Sequence, residues 1–319
     1  MKISITDTGS GIANKLAEAI GARVDGRFIY IPENKGGGYI TGFSWGKDFR
    51  VMIRNYYLHE EIYIERTNEL VEGQEDVIFL LSGIFPTPVK SEKQLYAEHS
   101  NVLICMHAVS SVMAMPSNTV FGSVTIAVSR HYLRLLFSKV DHPVIESILG
   151  SKDNFVFEIS ISPEMIQTAD EMIHQPMPQV IESHYYKLKC EELLCYIFTL
   201  LLQREAIPAS NMHIDDIKAI YAIKYHLHSH LAQAPNIAAL SREANMSEPK
   251  LRKLFKQTFG KGVFEYYQSA RMLEAAKLLK EKRLSVSEVG YQLGFTNLSH
   301  FTRVFEQHIG IKPKKYSLS

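Results

Sequence analysis

Arg252 and Arg303 each stand on the polar side of a short segment whose other residues are apolar at helical spacing. A guanidinium near the start of an exposed helix can bond O6 and N7 of guanine together, which an ammonium matches less well, so both are candidates for reading base edges. Around Arg252 stand Glu248, Pro249 and Lys253, and around Arg303 stand Leu298, Ser299 and His300. On a helix these eight fall opposite Leu251, Leu254 and Phe255 in the first segment and Phe301, Val304 and Phe305 in the second. Ser247, Lys250, Lys256, Thr296, Asn297 and Thr302 lie at the ends and flanks of the same segments, where hydroxyls, amides and ammonium groups suit phosphate oxygens. The plain alternative for each charged residue is a solvated position on an ordinary surface helix.

The elements that must position these side chains are repeated. The run from Ile237 to Lys256 recurs 49 to 50 residues later, from Val286 to Glu306. Each copy predicts a short amphipathic helix carrying Leu240 and Ala244, or Val289 and Leu293. A turn residue tolerant of positive φ follows, Asn245 or Gly294, then an apolar plug, Met246 or Phe295. Next come an N-cap, Ser247 or Thr296, and the second helix. Pro249 falls in that helix's first turn, where a missing N–H is harmless. Ser285 and Glu288 have the spacing of a capping box. The pattern is a helix-turn-helix, twice, with a helix from about residue 266 to 281 between the copies.

The charge is distributed to match. The 319 residues carry a net charge of +1, but from Met212 onward 17 Lys and Arg face 9 Asp and Glu, a net +8, which leaves −7 for the first 211 residues. A basic half of this kind points to a nucleic-acid partner. Residues 206–211, Ile-Pro-Ala-Ser-Asn after Ala206, read as an interdomain linker between a domain at 1–205 and one at 212–319.

At these residues the chain resembles the AraC/XylS family of bacterial transcription regulators. The segments Leu293-Gly294-Phe295-Thr296, Ser299 to Phe305, Gly310 and Lys312-Pro313-Lys314-Lys315-Tyr316 carry the resemblance. So do Phe264 to Tyr267, Arg271, Ala275, Leu278 and Leu279 of the intervening helix. Asn245 stands where the family has a turn Gly, and Gly290 where it has a small Ala. The resemblance implies double-stranded DNA as partner, one protomer occupying two successive major grooves and RNA polymerase as a further partner. Residues 1–7 lack the basic start and apolar core of a secretory signal, so the cytoplasm is the expected location. The resemblance also implies a β-rich, cupin-like effector-binding domain ahead of the DNA-binding unit.

Residues 27–130 fit that layout. They read as strands at 28–31, 49–57, 62–64, 77–81, 102–106 and 120–128, with turns at 32–38 and 71–73 and a helix before them at 12–20. Gly36-Gly37-Gly38 reads as a flexible turn, since no phosphate loop follows it. Residues 131–205 read as helical. The last helix, 183–205, has two apolar stripes, one with Leu193 and Ile197, the other with Leu194 and Leu201. One stripe can cover its own domain and the other a partner chain, which makes these four residues dimerisation candidates; a wholly intradomain helix is the alternative. Arg54, Tyr57, His59, Tyr63 and His107 are candidates to line an effector pocket, with ordinary packing as their alternative.

Other chemistry is poorly represented. The proportions, 46% hydrophobic and 22% charged, are those of a folded globular chain, and no apolar run is long enough to span a bilayer. Cys105, Cys190 and Cys195 form no C-x-x-C pair and read as buried thiols, and no cupin metal pattern is present, so neither a metal nor a cofactor is expected. Cys105-Met106-His107 after an apolar strand suggests a thiol nucleophile, but the glycine elbow and βαβ alternation such a site needs are missing. No catalytic residue is therefore expected. A domain that only dimerises remains the alternative for the first half.

Overall fold

The computed structural model describes residues 2–7, 11–60, 62–68, 76–83, 95–96, 101–106, 112–115, 119–150, 155–175, 177–204, 212–281 and 284–318. The chain divides into two compact units, Met1–Asn211 and Met212–Ser319.

The first unit holds β1 (Lys2–Asp7), α1 (Gly11–Ile20), β2 (Arg23–Asp25), β3 (Phe28–Tyr30), β4 (Gly36–Trp45), β5 (Phe49–Leu58), β6 (Ile62–Asn68), β7 (Asp76–Ser82), β8 (Leu95–Tyr96), β9 (Asn101–Met106), β10 (Val112–Met115) and β11 (Thr119–Ser129). It continues with α2 (Arg130–Phe137), α3 (Pro143–Gly150), β12 (Val156–Ser160), α4 (Pro163–His174) and α5 (Gln179–Leu202). Eight strands pair in the order β12-β9-β7-β11-β5-β4-β3-β2, with β8 alongside β11, and β1, β6 and β10 form a separate sheet. Every pairing along the eight-strand path is antiparallel. This is the β-rich first domain with trailing helices that the sequence leads one to expect.

Alternation along β5 shows how the sheet is covered. Phe49, Val51 and Ile53 point to one face and join Phe79, Ile104 and Ile126 in a core roofed by α3, α4 and α5. Met52, Tyr56 and Leu58 point to the other face and pack with Leu16 and Ile20 of α1. Gly36 to Gly38 are not a loose turn but the start of β4, paired with Leu58, Tyr57 and Tyr56. Gly38 has φ +99°, and a Cβ there would lie 2.2 Å from the carbonyl oxygen of Asn55. The glycines are required by a close strand approach that their lack of side chain conceals from pattern reading. β12 likewise lies in a stretch expected to be helical.

The helix at 183–205 appears as α5, and both of its stripes are covered within the unit. Leu193, Leu194, Ile197 and Leu201 are each 0% exposed in the single chain. These four are core residues and cannot be the partner face; the intradomain alternative holds for them. The exposed side of α5 carries Ile181, Leu188, Cys195 and Leu202 instead. Its first turn is strapped to the sheet by the Arg27–Glu182 ion pair and by the indole N–H of Trp45, which donates to Ser183 Oγ at 2.9 Å.

The second unit is all helical: α6 (Ile214–Ser229), α7 (Ile237–Glu243), α8 (Glu248–Phe259), α9 (Val263–Lys280), α10 (Val286–Gln292), α11 (Leu298–Ile309) and α12 (Pro313–Leu318). The 18 residues of α9 span about 27 Å at 1.5 Å per residue. α8 and α11 both pack on it.

Candidate nucleic-acid interface

Each helix pair is fixed by local chemistry. Asn236 caps α7 by accepting from the Ala239 N–H at 3.1 Å, and Ser247 caps α8 by accepting from the Lys250 N–H at 3.4 Å. Ser285 and Glu288 form the expected capping box, and hydrogen bonds from the Ser285 side chain and backbone hold the Glu288 carboxyl below its usual range. The cap of α11 is Asn297, accepting from the His300 N–H at 3.0 Å, rather than Thr296. Asn is at least as good a cap, and the helix starts one residue later than the threonine implies. Both second helices end on a left-handed glycine, Gly260 at φ +73° and Gly310 at φ +88°.

The turns differ for a physical reason. Asn245 has φ +50° and is exposed, so a residue tolerant of the left-handed region suffices there. Gly294 has φ +77°, and a Cβ on it would lie 2.0 Å from the carbonyl oxygen of Ala232. Only glycine fits the second turn. Gly290 serves a different contact: a methyl there would meet Leu298 Cδ2 at 2.8 Å.

Behind the helices, Leu251, Phe255, Phe301 and Phe305 are 0% exposed. The opposite faces are presented as expected for most of the candidates. Pro249, Lys250, Arg252 and Lys253 are exposed on α8, with Glu248 and Lys256 half-buried. Arg252 pairs with Glu248 one turn back at 3.5 Å, and Lys250 reaches Asp216 of α6 at 2.7 Å. On α11, Ser299, His300 and Arg303 are exposed and Thr302 is half-buried. Thr296 and Asn297 are exposed just ahead of the helix, although the Asn297 amide is engaged in its cap. Leu298 departs from the expectation: it is half-buried against Gly290, because the missing methyl lets α10 approach it.

Sequence reading missed what orients the second pair. Arg271 of α9 is buried, donates through Nε and Nη2 to the Leu293 carbonyl at 2.8 and 2.5 Å, and lies 3.7 Å over the Phe295 ring. Burial pushes its guanidinium below the usual arginine range. The available signal was one arginine among the apolar residues of a helix.

Of the effector-pocket candidates whose side chains are described, Tyr57 and His59 come together and Arg54 lies apart from them. Arg54 is buried on the α1 side of β5, donating to Thr125 Oγ1 at 2.5 Å with the Phe121 ring 5.3 Å away. Tyr57 and His59 are in ring contact with each other at 5.7 Å, and Tyr57 lies an odd number of residues from Arg54, so the strand sends it to the opposite face. Tyr63 lies in β6 of the other sheet, and its side chain, like the whole of His107, lies outside the described residues. Cys105 sits inside β9, in register with Ile78 and Val156, not on a strand-to-helix turn. Cys190 is buried and its thiol is pushed up by burial, whereas Cys195 is exposed, contrary to the expectation of three buried thiols. Among the described residues no three His, Cys, Asp or Glu side chains are grouped to hold a metal ion, and no helix is long and apolar enough to cross a membrane.

Two capped helix pairs on one supporting helix, with polar faces turned outward, define a two-headed helix-turn-helix unit. Residues 240–318 match the family described as "Helix-turn-helix domain". Among similar proteins are the probable transcription factor PqrA of Proteus vulgaris, 34% identical over 80 residues covering 25% of this chain and 66% of that protein. The arabinose operon regulatory protein of Escherichia coli K12 is 30% identical over 152 residues, 45% of this chain and 52% of that protein. Among solved structures, ToxT of Vibrio cholerae aligns over 85% of this chain and 98% of its own at 15% identity and a TM-score of 0.32. The chain thus spans roughly half to two thirds of the length of these two curated relatives. The family match falls within the second unit.

Proposed function

We propose that the chain is a sequence-specific, DNA-binding transcriptional regulator whose α8 and α11 enter successive major grooves of one duplex. The observation that carries this reading is the duplicated, outward-facing helix pair within a unit of net charge +8. Glu248, Pro249, Arg252, Lys253, Ser299, His300 and Arg303 read base edges, with Leu298 restricted to its exposed edge. Ser247, Lys250, Lys256, Thr296, Asn297 and Thr302 hold the backbone. A regulator of this kind works beside RNA polymerase in the bacterial cytoplasm.

Reading and anchoring are separable by experiment. Arg303→Ala is expected to cost about 1–3 kcal/mol on a selected operator and to relax preference at one base position, with much less effect on random DNA. Lys256→Ala is expected to weaken both alike and to flatten the salt slope by about one. Titrations of both variants against operator and scrambled duplexes at two salt concentrations decide the matter. Equal losses on both duplexes for Arg303→Ala, with preference intact, would make Arg303 a phosphate clamp.

The first unit is the place for control. The sheet face bearing Arg54 also carries Ser123, whose fully buried Oγ has no hydrogen-bond partner among the described residues, and such a group favours a polar ligand nearby. A small-molecule effector bound there at about 100 times its Kd would stabilise the chain by about 2.7 kcal/mol. A metabolite library screened by thermal shift should return such a ligand, and Arg54→Gln should abolish its effect. Hits that ignore the substitution would move the ligand off this sheet face, and no hits would favour a first unit that only dimerises. Dimerisation itself is assigned to the exposed side of α5, through Ile181, Leu188 and Leu202.

A further inference from the structure

The two helix pairs are joined by more than α9. Residues 230–236, between α6 and α7, belong in sequence to the first pair. Yet Leu231 packs against the core of the second, which contains Leu293 and Phe295. The Ala232 carbonyl oxygen sits against Gly294, at the spot a Cβ would occupy. α9 fastens both sides of this junction: the Tyr267 hydroxyl donates to the Leu231 carbonyl at 2.9 Å, and Arg271, one turn on, holds the Leu293 carbonyl at the end of α10.

We infer that this junction makes the spacing between the two half-elements of the operator a specificity determinant, set by Leu231, Gly294 and Arg271, residues at the seam between the two helix pairs that read no base. The inference rests on the reading of α8 and α11 as base-contacting helices. Inserting one base pair moves the second half-element by about 3.4 Å along the duplex and turns it by about 35°. A hinged pair of units would follow at little cost. Here the turn of the second pair is seated on the loop of the first, so the mismatch falls on the DNA, which is stiff over a single turn.

The test uses the full chain and duplexes selected with it from random DNA, rebuilt with one base pair inserted or removed between the half-elements. The wild type is expected to lose about tenfold or more in affinity for each such change. Arg271→Ala and Leu231→Ala should keep their affinity for a duplex carrying a single half-element, while their spacing penalty shrinks to about threefold or less. Folded variants with a profile as steep as the wild type would overturn the inference. So would a wild-type profile that is flat across one base pair either way, which decides the question even if both variants unfold. Failure of the wild type to select any duplex, or to bind a single half-element, would count instead against the base-reading role of the helices.

Discussion

Gly294→Ala is expected to destabilise the second unit by about 3 kcal/mol, lowering its melting temperature by about 15 °C. Two effects add. An alanine at φ +77° takes on the left-handed penalty of about 1–2 kcal/mol, and its methyl would lie 2.0 Å from the Ala232 carbonyl oxygen, a backbone atom that cannot swing aside. Asn245→Ala, at the matching turn, meets only the first effect and should cost about 1 kcal/mol. Differential scanning calorimetry of the two variants checks the contrast. Equal losses would mean that the seat of Gly294 on the first pair contributes nothing.

Leu193→Glu should be worse still for the first unit, at about 4–6 kcal/mol, since a carboxyl must enter a core where Leu193 is 0% exposed. The single tryptophan, Trp45, hydrogen-bonded to Ser183 at the start of α5, reports that loss directly in its fluorescence. Leu188→Glu stands on the same helix but is 51% exposed, so its effect on folding should stay within about 0.5 kcal/mol. Its effect should fall on association: in sedimentation velocity the wild type is expected as a dimer and Leu188→Glu as a monomer. A folded, stable Leu193→Glu protein would contradict the core assignment, and a dimeric Leu188→Glu protein would move the interface off this face of α5.

The contrast between those two leucines shows where sequence ends. Periodicity marks α5 as apolar on two stripes, but which stripe meets its own sheet depends on the sheet's position, and here the sheet and α4 take both. The helix-turn-helix pairs were legible because their determinants are local: a cap, a left-handed turn residue and an apolar face lie within about 20 residues of one another. The shift of the α11 cap from Thr296 to Asn297 is the scale of error such local reading makes. β4 was obscured because its glycines are explained only by the neighbouring carbonyl of Asn55 on β5. Among the pocket candidates, Arg54 and Tyr57 cannot share a face of one strand, because an odd number of residues separates them. Arg271 was visible as a residue but not as a brace, because its partner carbonyl at Leu293 lies 22 residues away.

The second unit is expected to read DNA by itself. The direct measurement is fluorescence anisotropy of residues 212–319, a compact unit with its own core, on a duplex selected from random DNA and on a scrambled duplex. The expected result is binding that prefers the selected duplex and weakens about a hundredfold or more between about 50 and about 200 mM salt, as phosphate contacts release counterions. A well-folded fragment with no affinity at low salt, or one that binds both duplexes equally, would contradict it.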